Sequence, residues 1–162
     1  MKLIAILFVF LTACSSSVTK NKSVVEEKTN ESLDQVRDIP FSVLYQDSNS
    51  SFEDIGFKVF EDSKDFEDAL TMVNRNRQPG LMAPEIDFTK FRVALLHIGN
   101  RNSGGYAINV KRVEKTESNI IVYYKNQFPQ PGQMVTMAIT SPWTMVRFEN
   151  HNLPVVFAPI NN

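Results

Sequence analysis

The chain has 162 residues, with 17 Lys and Arg against 18 Asp and Glu, two His and one Cys. A formal charge of −1 without runs of like charge argues against nucleic acid, because a polyanion is bound by a clustered excess of Lys and Arg. One cysteine forms no internal disulfide and no zinc–thiolate cluster, and once modified it leaves no thiol for catalysis. Twelve phenylalanines supply the apolar mass for one core instead.

The first residues have the layout of an export signal: Lys2, an apolar run from Leu3 to Phe10, then Leu11-Thr12-Ala13-Cys14. The run is far shorter than the roughly 20 residues of a bilayer-spanning helix. Leu-Thr-Ala-Cys resembles a bacterial lipobox, which implies cleavage after residue 13 and a lipid (palmitate and its like) on Cys14. Without Lys2, 16 basic residues (17 less one) face 18 acidic ones. Ser15, in place of Asp, follows the cysteine and favours transport to the outer membrane. The expected location is therefore the bacterial cell envelope, lipid-anchored, facing the periplasm or the surface. Residues 14–38 read as a flexible tether, too polar to fold alone. As a coil they span roughly 27 Å. A helix over 24–36 is the competing reading of this stretch.

A folded domain is expected over 39–162. Residues 41–45 read as a strand and 57–60 as a short second one. A helix follows near 63–76. Asp62 or Ser63 can cap it, and Asp65, Glu67 and Asp68 suit its positive end. Phe66, Ala69, Leu70 and Val73 fall on one face, Arg75 and Arg77 suit the far end, and Gln78-Pro79-Gly80 stops it.

From Phe91 the period changes to two. Residues 91–98 are apolar on both faces, which predicts a central strand covered on both sides. Further strands are predicted over 106–111, 120–124, 134–140, 144–148 and 155–157. The expected fold is α+β, mainly antiparallel β, a sandwich or half-barrel with one inserted helix. Met134, Met137 and Met145 are expected to pack in its core.

Few residues point to catalysis. His97 reads as a strand-end or core histidine and His151 as a turn residue, without metal-ligand spacing around either. No serine sits in a Gly-x-Ser-x-Gly elbow. Asp62, Asp65 and Asp68 lack the glycine and terminal glutamate of a calcium loop. No cofactor and no metal is expected, and the domain is read as non-catalytic. Three turns carry the candidate binding residues: Asn102, Ser103, Gly104, Gly105 and Tyr106; Pro131, Gly132 and Gln133; Pro142 and Trp143. Trp143 is either a core residue or a partner anchor.

Those turns, in their order, carry a likeness. Phe91-Arg-Val-Ala-Leu-Leu, Asn102-Ser-Gly-Gly-Tyr106, Val110, Val113, Ile121-Val, Pro129-Gln-Pro-Gly132, Thr140-Ser-Pro-Trp143 and Val146 together resemble the C-terminal domain of the PrcB family, over roughly 87–157. Ser103 stands where threonine is usual, and Trp143 where tyrosine is common. The resemblance implies a bacterial lipoprotein that binds or stabilises an exported protease through a non-catalytic domain. A weaker similarity to the three loops of chagasin-type protease inhibitors implies that the turns gather at one end of a sandwich as a wedge. The alternatives are a protease inhibitor of the chagasin loop type, or a small-ligand-binding or enzymatic envelope protein using a pocket near His97.

Overall fold

The computed structural model describes residues 36–160. Cys14, the export signal and most of the expected tether lie outside them. The tether was expected to run to residue 38, yet β1 (Arg37–Ile39) already pairs with β5 (Ala107–Lys115), from Arg37 opposite Lys115 to Ile39 opposite Val113.

Eight strands and one helix are described. They continue with β2 (Phe41–Asp47), β3 (Ile55–Phe60), α1 (Ser63–Asn74) and β4 (Phe91–Ile98). After β5 come β6 (Ile120–Gln127), β7 (Trp143–Glu149) and β8 (Val155–Pro159). They form two four-stranded sheets, ordered β1-β5-β6-β8 and β2-β7-β4-β3. The fold is an α+β sandwich with a helix on one outer face. All pairs are antiparallel except β6–β8, which is parallel. A long connection through β7 returns the chain to run alongside β6, one parallel pair in a fold that is otherwise antiparallel, as the expectation of a mainly antiparallel fold allows.

β4 decides the layering. Ala94, Leu96 and Ile98 meet Ile108, Val113, Ile120 and Val122 between the sheets. Val93 and Leu95 point the other way, onto Phe66, Ala69, Leu70 and Val73 of α1. A strand with apolar cover on both faces carries apolar residues on both, which is why its buried middle, 93–96, lacks alternation. α1 begins as its residues dictate: the Asp62 carboxylate accepts from the Asp65 amide at 2.9 Å. It ends at Asn74, earlier than expected. Arg77 lies beyond it and pairs with Asp47 of β2 at 2.7 Å, so it does not complement the helix terminus.

The predicted strand over 134–140 does not form. Only Thr140 makes a β-bridge, to Arg101. Strand propensity produces a strand only where a neighbouring ladder is within reach, and this stretch lies past the ends of both sheets. Met134 and Met137 are therefore 97% and 92% exposed, contrary to the core role expected of them. Met145 is fully buried as expected.

Strand direction gives the domain two poles. Arg37 enters beside Lys115, next to the turn joining β5 and β6. The β2–β3, β4–β5 and β6–β7 loops all leave at the other end, about 26 Å away along the length of β5.

Candidate functional site

At the pole away from Arg37, three loops are tied together by backbone bonds. Arg101 and Thr140 exchange amide and carbonyl bonds at 2.7 and 2.9 Å. The Gly104 amide donates to the Thr136 carbonyl at 2.9 Å, and the Thr140 hydroxyl to the Ser103 carbonyl at 2.8 Å. Ser141 joins the β2–β3 loop: its amide donates to the Ser48 carbonyl at 2.8 Å, and its hydroxyl both donates to the Ser50 carbonyl and accepts from the Ser50 amide. The Asn100 amide donates to the Glu53 carbonyl at 2.9 Å.

Gly104 is where the two longer loops touch most closely. A Cβ there would lie 2.4 Å from the Thr136 hydroxyl. At the other bend, the Gln133 amide donates to the Gln130 carbonyl at 3.0 Å around Pro131-Gly132, with Gly132 at φ +79°. Proline then a positive-φ glycine is the chemistry of a type II turn. Both the Gly-Gly pair and the Pro-Gly pair thus have a local structural use.

The ten candidate binding residues separate by depth. Asn102, Pro131, Gly132 and Gln133 are exposed, and Ser103, Gly105 and Tyr106 are half-buried. Gly104, Pro142 and Trp143 are buried. Trp143 has no exposed surface; its Nε1 donates to the Asn49 carbonyl at 2.9 Å, and its ring lies 6.1 Å from that of Tyr45. As the first residue of β7 it faces α1, so it fastens the β2–β3 loop and meets no partner in this state. Without Pro142 and Trp143 the wedge of three loops reduces to two, β4–β5 and β6–β7.

The most exposed apolar side chains of that end escaped the motif reading. Phe128, Met134, Met137 and Ile139 project from the β6–β7 loop, the last three at 97%, 92% and 73% exposure. A signal for them was available: from Asn126 to Val146 the sequence holds no charged residue at all. In a chain of 22% charged residues, a 21-residue neutral stretch that crosses an exposed loop is conspicuous. Arg101 is the one charge in the two loops, and its guanidinium lies 5.8 Å from the Tyr106 ring centroid. Four exposed apolar side chains on one loop are a feature that marks contact sites.

His97, by contrast, is engaged. Its Nδ1 donates to the Asp54 carbonyl at 2.7 Å, its ring stacks on Phe52 at 4.5 Å, and Gly56 leaves room for it on the adjacent strand. Burial holds its imidazole below the ordinary 6.5, with the Asp54 contact opposing this in part. A cleft of about 250 Å³ lies instead between Asp47, Asn49, Ser50 and Arg77, where the Arg77–Asp47 pair fills its polar wall. Asp62, Asp65 and Asp68 are spread over separate duties: capping α1, pairing with Lys58 and pairing with Lys64.

Both exposed loops lie within one span that other proteins share. Residues 93–149 match the PrcB C-terminal family model. No curated protein and no solved structure matches the chain. The PrcB-like span runs from β4 to the end of β7 and falls inside the 87–157 expected from the motifs. It holds both strands of the doubly covered core and both loops of the distal pole. The PrcB-like part is therefore the central structural unit together with its candidate contact surface, while β1, β2, β3, α1 and β8 flank it.

Proposed function

We propose that this chain is an envelope lipoprotein, anchored through Cys14, whose PrcB-like domain is a non-catalytic docking module for an exported protease. The observation that carries the reading is the neutral β6–β7 loop, with Met134, Met137 and Ile139 almost free of protein contact at the pole farthest from Arg37. The PrcB C-terminal match supports a protease-complex partner, and the lipobox-like Leu-Thr-Ala-Cys supports a lipid anchor, with Ser15 favouring the outer membrane. Within the domain, Arg37 lies at one pole and the apolar tip at the other. Apolar side chains that are solvated when free and desolvated on contact supply most of the affinity of such interfaces.

The test uses the full-length chain, solubilised from its own envelope in mild detergent. It should co-purify with proteolytic activity, and Met134→Ser with Met137→Ser should weaken that capture at least about tenfold. Thermal unfolding should be unchanged, because neither side chain is packed. Capture unaffected by the double substitution would remove the loop from the interface. Mass spectrometry of the mature N-terminus tests the anchor: a diacylglyceryl cysteine at position 14 is expected, and an unmodified Cys14 sinks it.

A further inference from the structure

Residues 134–139, Met-Val-Thr-Met-Ala-Ile, have strand-forming composition, no proline, no glycine and no charge. Among the described residues this stretch takes part in one backbone hydrogen bond, the Thr136 carbonyl accepting from Gly104. The remaining amides and carbonyls face no ladder. Its side chains are equally unspent, at 97% exposure for Met134, 92% for Met137 and 73% for Ile139. A six-residue segment of this kind is an aggregation hazard when it stays uncovered.

Both ends of the segment are held. The Pro131-Gly132 turn closes it on one side and the Arg101–Thr140 bridge on the other. That limits the chain entropy lost when it straightens. We propose that 134–139 binds its partner as an added β-strand, completing the open edge of a sheet in the protease, and that the edge it joins is lined by apolar pockets. This rests on the protease-docking reading above and states its mode. In an extended backbone, side chains alternate, so Val135, Met137 and Ile139 fall on one side and Met134, Thr136 and Ala138 on the other. Main-chain bonds then supply affinity, and the pockets for Met137 and Ile139 supply selectivity. The absence of charge between Asn126 and Val146 requires a partner edge that is itself uncharged, since a carboxylate or ammonium buried against it would go unpaired.

Amide hydrogen exchange distinguishes strand addition from side-chain docking. The probe is the protease that co-purifies with the full-length chain, compared with the free chain. Alternate amides within 134–139 should exchange at least about tenfold more slowly in the complex, while the exposed turn amides near Gly132 stay fast. The Thr136 carbonyl is turned to Gly104, so the outward donors are those of Val135, Met137 and Ile139. Met137→Pro, which removes one of them, should weaken capture more than Met137→Ala does. If Met137→Pro also lowers the melting temperature, the exchange pattern of the unaltered complex decides. A photocrosslinker replacing Met137 should label the protease. Label on lipid or on a second copy overturns the proposal, as does a stable complex in which 134–139 exchanges freely; in the last case protease docking itself stands. If no protease co-purifies at all, both readings fall together.

Discussion

Replacing Trp143 separates a core residue from an interface residue. The indole has no exposed surface and is wedged between β2 and α1, with its Nε1 bonded to the Asn49 carbonyl at 2.9 Å. Truncation to alanine removes a fully buried aromatic and should cost about 4 kcal/mol. Trp143→Phe keeps a ring but drops the hydrogen bond. The Asn49 carbonyl also accepts from Arg77 Nη2 at 3.4 Å, so it is not left without a partner and that loss should be only about 1 kcal/mol. The smaller ring leaves a gap worth a further 1–2 kcal/mol, for a total of about 2–3 kcal/mol. For a domain of this size that corresponds to a melting temperature lower by roughly 6–15 °C. Urea unfolding followed by circular dichroism should show a lower midpoint with unchanged slope. Partner capture per folded molecule should be unchanged at a temperature where the variant is fully native. Native stability combined with lost capture would mean that the indole reaches the partner, and the buried assignment would be refuted.

Three further outcomes follow from the same geometry. Gly56→Ala places a Cβ 2.6 Å from His97 Nε2, so it should destabilise by about 1–3 kcal/mol, and His97→Ala should recover most of that loss in a double-mutant cycle. His97 is held below 6.5 by burial, so the unfolded chain binds its proton more readily. Its contribution is complete above the unfolded value and is lost as pH falls through it; urea midpoints measured from about pH 7.5 to 5 should decline, and His97→Gln should flatten that decline. The exposed Asp87, lowered to about 2 by Lys90 and then by Thr89, acts only below 3.8 and does not confuse the window. Gly104→Ala sets a methyl 2.4 Å from the Thr136 hydroxyl, which should shift the 134–139 segment and weaken protease capture several-fold, with Thr136→Ala restoring it. Capture indifferent to Gly104→Ala would show that the two loops act separately.

The sequence alone determined those features whose causes are local. The Asp62 cap, the 66-69-70-73 face of α1, the Pro131-Gly132 turn and the doubly apolar β4 each depend on neighbours in the chain. The motif order from Phe91 to Val146 likewise carried the PrcB likeness that the family match bears out. The β6–β7 loop could not be placed that way. Met-Val-Thr-Met-Ala-Ile has the residues of a strand, and only the arrangement of distant strands decides whether a ladder lies beside it. The parallel β6–β8 pair and the pairing of Arg77 with Asp47 are decisions of the same kind. Burial decided one open reading and reversed one assignment, for one reason. Trp143, which its chemistry left between core residue and partner anchor, starts a strand that faces α1, whereas Met134 and Met137, natural core residues, lie beyond the sheet ends. Side-chain chemistry states what a residue gains by being covered; only the tertiary structure states whether anything within the chain covers it.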